Sequence, residues 1–238
     1  TSDPRSVADA RKIDRISFDE MLEMTANGCP KPAMRSVEYA RNHGVQLHVR
    51  SAQNTWEPGT LIVEPVPGNK EDDAMEQAII SAVVHDTDEA KITVTGVVDR
   101  PGVAGQLFRA LADRNVNVDV IVQNVSEGGA TDISFTVPHG EYEQAVVVCE
   151  DQLASIGAAE VKADPAIARV TVVGAGMKSH PGVAATVFET LAQAGINIEM
   201  ISTSSIRISC IVDQEQVENA VQALHDAFDL SSGPALVD

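Results

Sequence analysis

The sequence predicts an α+β protein: two tandem ferredoxin-like βαββαβ modules preceded by a fragment of an α/β domain. Three observations carry this reading. A pattern recurs 80 positions along the chain, so that Pro101-Gly-Val-Ala104 is matched by Pro181-Gly-Val-Ala184, Phe108 by Phe188, Leu111 by Leu191, Asn117 by Asn197 and Asp119 by Glu199. Each copy opens on a β-branched run, Lys91-Ile-Thr-Val-Thr-Gly96 and Arg169-Val-Thr-Val-Val-Gly174. Each then places apolar residues every fourth position, Val103, Leu107, Leu111 and Val183, Val187, Leu191, which gathers them on one helical face.

The remaining elements follow in order. Residues 1–63 form the preceding fragment, and the run Glu64-Pro-Val-Pro-Gly-Asn-Lys-Glu-Asp-Asp73 marks a boundary, because its prolines, glycine and charges block regular structure. The linker is set at 64–77, the first module at 78–163 and the second at 164–231. Pro101 and Pro181 suit the first turn of their helices, where a missing N–H costs nothing. β-Rich stretches come next at Val116 to Val125 and Ile196 to Ser202, then at Asp132 to Val137 and Ser205 to Val212. Second amphipathic helices are expected near Glu141 to Leu153 and Gln214 to Phe228. The first module can finish on a strand at Ala158 to Lys162. The second offers only Ala235-Leu-Val237, whereas Ala78 to His85 is a good strand with no partner before the first repeat, so that earlier segment is expected to dock on the second module.

Composition excludes several classes of partner. The formal charge of −18, from 35 acidic against 17 basic residues, repels nucleic-acid phosphates and anionic membranes. Aromatics make up only 3%, too few for base-stacking platforms. Cys29, Cys149 and Cys210 are scattered, without C-x-x-C or Cys/His spacing, which fits a reducing cytoplasm and points to no metal site. No apolar run approaches a membrane span, and Thr1-Ser-Asp-Pro-Arg5 has no signal core and reads like mid-domain sequence from a longer gene product.

The repeats resemble ACT domains, the small-molecule sensors of amino-acid metabolism, and in particular those of aspartate kinases. Asp99-Arg-Pro-Gly102 and Gln123-Asn-Val-Ser126 look like the first such domain. Gly174-Ala-Gly-Met-Lys-Ser-His-Pro-Gly182, Asn197-Ile-Glu-Met-Ile-Ser-Thr-Ser204 and Ile206-Arg-Ile-Ser209 look like the second. Residues 1–63 resemble the closing part of an amino-acid kinase domain through Thr1-Ser-Asp-Pro-Arg5, Phe18-Asp-Glu-Met-Leu-Glu23, Arg35-Ser-Val-Glu-Tyr-Ala40 and Pro58-Gly-Thr60. The resemblance places Asp3 and Arg5 beside the nucleotide. Two departures stand out: Gly28-Cys-Pro-Lys31 where the family has Gly-Ala-Lys, and Ser205 where it commonly has Glu. With no phosphate-cradling loop in the sequence, no catalytic residue and no cofactor is expected in this chain; MgATP belongs to the parent kinase.

A free amino acid needs amide donors for its carboxylate, an acceptor for its ammonium and a selective pocket. Helix N-terminal amides near Gly102 and Gly182 supply the donors. Asp99 is placed to accept the ammonium, with the uncharged Ser179 as its repeat partner, and Gln123 can meet a hydroxyl such as threonine's. Together with the resemblance, the expected effector set is Asp99, Gly102, Ala104, Asn117, Val118, Asp119, Gln123, Asn197, Ile198 and Ser204, forming a site shared between ACT domains. Each has a plainer reading. Asp99 suits a turn or helix cap, Asn117 and Asn197 suit strand entries, Gln123 suits an exposed strand, and Arg207 suits an interface charge. His180 closes a helix entry, and Gly174-Ala-Gly176 is a turn and not a phosphate loop. The expected partners are threonine or lysine as effector, a second copy of the chain, and a catalytic subunit. The competing reading is a structural dimerisation module with a vestigial pocket.

Overall fold

The computed structural model describes residues 1–54, 56–65, 80–125 and 129–232, without the side chains of Lys178 and Ser179. The chain divides into two compact units, residues 87–168 and residues 1–86 with 169–238.

The unit of residues 87–168 is a complete βαββαβ module. Strand β5 (Glu89–Val98) is followed by helix α3 (Val103–Ala112), strands β6 (Ile121–Val125) and β7 (Ala130–Pro138), helix α4 (Tyr142–Ile156) and strand β8 (Glu160–Asp164). The sheet runs β6-β7-β5-β8, antiparallel throughout. Val103, Leu107 and Leu111 are buried against Ile92, Val94, Ile133 and Phe135, so the four-residue periodicity is the helix face that makes the core. Phe108 meets Phe135 edge-on at 5.4 Å.

In the other unit a three-stranded sheet of β1 (Arg15–Ser17), β3 (Thr60–Val63) and β2 (Leu47–Val49) lies with helices α1 (Phe18–Ala26) and α2 (Met34–Asn42). The second repeat contributes β9 (Ile167–Val173), α5 (Val183–Gln193), β10 (Met200–Thr203), β11 (Arg207–Asp213) and α6 (Val217–Ala227). Its fourth strand is β4 (Ala82–Asp86), paired antiparallel to β9 from Ala82 opposite Val173 to Asp86 opposite Arg169, in a sheet of order β10-β11-β9-β4. The early segment thus stands where β8 stands in the other module. The expected strand at 235–237, and residues 78 and 79 of the early one, lie outside the described residues.

Two local expectations are corrected. The helices start at Val103 and Val183 after Gly102 and Gly182 in the left-handed region (φ 94° and 113°), so Pro101 and Pro181 precede the cap instead of sitting in the first turn. The strands expected from Val116 and Ile196 begin later, at Ile121 and Met200. Asn115 and Gly195 take positive φ, and the next amides, of Val116 and Ile196, donate to the carbonyls of Leu111 and Leu191 at 3.1 and 2.9 Å. These are left-handed helix stops in which the apolar residue following the stop packs inward, so its hydrophobicity serves the cap and not a strand.

The first 63 residues are joined to the second module's sheet by an apolar core and a polar seam. Ala82, Val84 and Val173 share a core with Ile16, Phe18, Met21, Met24, Val37 and Ile62. Glu20 is 3% exposed and closes a capping box with Ser17. Its other oxygen accepts from the Ser81 hydroxyl and from the Ala175 amide at 3.3 Å. Fully buried Asn27 accepts from Thr171 at 3.2 Å and from Arg207 at 3.3 Å, and Arg207 pairs with Glu23 at 3.3 Å. Arg207 is therefore an interface charge. Gly28 has φ 107°, and a Cβ built there would stand 1.8 Å from the His85 carbonyl oxygen of β4. Gly28→Ala is expected to cost about 2–5 kcal/mol, from roughly 1–2 kcal/mol of left-handed backbone strain and a further 1–3 kcal/mol of overpacking. Chemical denaturation followed by circular dichroism checks it.

Candidate functional site

The end of β5, the start of α3 and the β6–β7 hairpin enclose a cleft of about 330 Å³. Its buried lining comes from Val97, Val103, Thr131 and Ile133, and its exposed rim carries Asp99, Arg100 and Gln123. β5 reaches this far because its ladder shifts register between Val94 and Val97 and continues to Val98. The Asp99 amide then donates to the Gly129 carbonyl at 2.9 Å, which fixes the turn. Gln123 is held in register opposite Ile133 on the edge strand β6. The Arg100 guanidinium is drawn to the Ser155 carbonyl at 3.2 Å, near the C-terminal end of α4, where cations are favoured.

Gly102 accepts the first helical hydrogen bond of α3, from the Gln106 amide at 2.9 Å, so the amides of the first turn have no carbonyl of their own helix to meet. The Val103 amide donates to the Arg100 carbonyl at 3.4 Å, and Gly102, Val103 and Ala104 line the cleft. One wall therefore offers N–H donors and a positive helix end, another a carboxylate and a carboxamide. A mostly apolar buried lining completes a receptor matched to a zwitterion with a small side chain.

The cleft brings together Asp99, Gly102, Ala104 and Gln123 of the expected set. It leaves out Asn117, Val118 and Asp119. The Asn117 amide and carboxamide both donate to Glu141, at 2.6 and 3.4 Å, Val118 packs on the module's core, and the Asp119 amide donates to the Thr136 carbonyl at 3.0 Å. Asn197, Ile198 and Ser204 belong to the other unit. Asn197 is exposed and Ile198 half-buried in the connection before β10, while the Ser204 hydroxyl donates to Glu23 at 3.4 Å. In that unit the place matching Asp99 lies in a 3-10 turn, Ala175–Ser179, and His180 Nδ1 lies 2.9 Å from the Gly176 carbonyl oxygen. Val97 and Thr131 were missed by sequence reasoning, since only the bulge in β5 and the β6–β7 register carry them to the cleft.

The protein-family model for the ACT domain matches residues 92–153 and 170–228. The aspartokinase of Mycolicibacterium smegmatis is 48% identical over 97% of this chain and 54% of its own length. A crystal structure of aspartokinase alpha and beta subunits is 47% identical with a TM-score of 0.60, and the match covers 63% of this chain and 99% of that one. The regulatory subunit of aspartate kinase from Thermus thermophilus, in its ligand-free form, is 41% identical with a TM-score of 0.60, again over 63% of this chain and 99% of that one. The chain belongs to the aspartate kinase family.

It carries that family's ACT-domain regulatory region and spans about half the length of the curated relatives it matches, 54% in the first case. Asp3 and Arg5, the two positions matched to the kinase nucleotide site, are joined side chain to side chain, with Arg5 Nη2 2.6 Å from Asp3 Oδ2. The Arg5 guanidinium holds the Asp3 carboxyl below the usual carboxylate range. Each of these two charges is satisfied by the other. The Cys149 and Cys210 thiols, pushed up to about 12 by burial, are packing groups and not nucleophiles.

A Cβ at Gly102 would meet nothing within 4 Å. Gly102→Ala should therefore cost only the roughly 1–2 kcal/mol of a left-handed backbone, well short of the loss at Gly28. Melting temperatures of the two variants side by side check the difference.

Proposed function

We propose that this chain is the amino-acid-sensing part of an aspartate kinase, and that the cleft at the N-terminus of α3 takes threonine or lysine as a feedback effector. The observation that carries this is the convergence of Asp99, Gln123 and the first turn of α3 on one cleft with a mostly apolar buried lining. The effector's carboxylate meets the amides, its ammonium meets Asp99, and Gln123 reads a hydroxyl or amine on the side chain. Binding favours one arrangement of the regulatory region and lowers the population of the active enzyme by its differential affinity for the two states. The enzyme so controlled is the parent kinase, which phosphorylates the side-chain carboxylate of aspartate with MgATP, using residues supplied with this chain or by a separate catalytic subunit. The same cleft argues against a vestigial pocket, since it keeps both the acid and the carboxamide. A cytoplasmic setting fits three free cysteines, and no helix among the described residues is long and apolar enough to cross a membrane.

We further propose a homodimer formed by ACT sheets. β6 and β10 are edge strands, and each exposes an isoleucine, Ile121 at 51% and Ile201 at 43%. Sedimentation should give a dimer mass at micromolar concentration; a monomer mass at every concentration refutes the pairing.

Calorimetric titration with threonine, lysine and aspartate should show binding of the first or second. Asp99→Ala should weaken it by roughly ten- to a hundredfold, the worth of a charge-assisted contact of about 1.5–3 kcal/mol, at a stability cost of no more than about 0.5–2 kcal/mol. Ser179→Ala should change affinity much less. Unchanged affinity in Asp99→Ala, or equal losses in both variants, refutes the assignment of the ammonium to Asp99.

A further inference from the structure

Helix α6 holds an imidazole that is fully buried yet only half used. His225 is 0% exposed. Its Nε2 lies 2.9 Å from the Thr1 hydroxyl oxygen, and that oxygen accepts the Arg11 amide at 2.9 Å. His225 Nδ1 has no hydrogen-bond partner among the described residues, and Asp9 Oδ1 lies 4.0 Å from it. Asp226 follows on the same helix, and the ligating atoms of Asp9, His225 and Asp226 all fall within 4.8 Å of one another. A buried polar nitrogen with no partner is unfavourable unless something outside the chain completes it.

We propose that Asp9, His225 and Asp226 bind one divalent transition-metal ion of the zinc or manganese type. The donor set, one imidazole nitrogen and two carboxylates, is borderline in softness, which suits these ions better than magnesium or calcium. Two carboxylates offset the 2+ charge, and the chain's net charge of −18 enriches cations nearby. The outer contacts have the right form. The Thr1 oxygen can accept Nε2–H and so leave the Nδ1 lone pair for the metal, and Gln222 orients the Asp226 carboxylate through a 2.8 Å hydrogen bond. Arg11 Nε donates to the Leu230 carbonyl at 3.0 Å, which engages a cation that would otherwise compete for the carboxylates. Tetrahedral coordination with bonds of roughly 2.1 Å needs ligand atoms roughly 3.4 Å apart. The Asp9 side chain is 52% exposed and has room to swing in, and its open side leaves a position for water. No Cys/His spacing announces the site, because its ligands come from opposite ends of the chain. A bound ion would clamp the N-terminal segment to the second ACT module.

The purified chain, stripped with a chelator, is titrated with zinc chloride and with manganese chloride by calorimetry while its melting temperature is followed. Saturation by one ion per chain with a rise in melting temperature is expected, and magnesium chloride at the same concentrations should do neither. Asp9→Asn and Asp226→Asn alter exposed positions and keep the fold. Each should weaken binding by at least the roughly 10–100-fold that loss of an outer-shell partner costs. Loading with cobalt(II) should give a spectrum without thiolate charge-transfer bands, which excludes the three cysteines as ligands. Absence of saturable binding, thiolate bands in the cobalt spectrum, or undiminished affinity in both Asn variants would overturn the assignment.

Discussion

The open side of β9 is the constraint on which the unit of residues 1–86 and 169–238 depends. A central strand with an unpaired row of backbone groups is costly to bury, and in the first module β8 removes that cost for β5 by following directly from α4. In the second module the partner is β4, from before the first repeat. That strand has two duties. Its backbone completes the ladder to β9, and its Ala82 and Val84 side chains enter the core of the preceding fragment with Val173. A strand shared in this way cannot be lost without exposing both. The tight approach of Gly28 to His85, and the placing of Glu20 beneath Ala175, follow from the same docking.

The two modules show how one plan can carry different chemistry. Their helices begin in the same way, on a left-handed glycine, and end on the same left-handed stop. They diverge where the first strand ends. β5 bulges and runs on to Val98, which leaves Asp99 on the rim of a cleft; β9 stops at Val173, and the chain turns through a 3-10 segment whose entry is pinned by the Gly174 amide on the Ile206 carbonyl at 3.0 Å. A local difference in strand length therefore accompanies the cleft at the start of α3 and the 3-10 turn before α5.

The join between the kinase-like fragment and the second module has a mixed character. Its apolar part excludes water, while the Glu23, Arg207 and Ser204 contacts are hydrogen bonds and ion pairs at 3.3–3.4 Å around partly exposed side chains. Polar contacts of this kind can be exchanged for water at small net cost, unlike a packed core.

Much of the fold was legible in the sequence, because periodicity and repetition report local geometry: the helix faces, the strand openings and the duplication all come from short-range spacing. The need for an early strand to dock on the second module was legible too, from one strand too many before the first repeat and one too few after the second. Asp99 and Gln123 could be named as candidates from their side-chain chemistry and their place beside a helix start. What Val116 and Ile196 do could not be read, since a β-branched residue after a helix serves a strand or a left-handed stop equally well, and only the positive φ of Asn115 and Gly195 chooses. Nor could the sequence show that Asn117 is engaged by Glu141, that Thr131 joins the cleft, or that Asp9 and Asp226 meet a buried His225. Sequence by itself determined the elements and the chemical candidates, which depend on neighbours along the chain. Tertiary structure decided which candidates converge, because bulge, register and strand exchange bring together residues whose separation along the chain carries no trace of it.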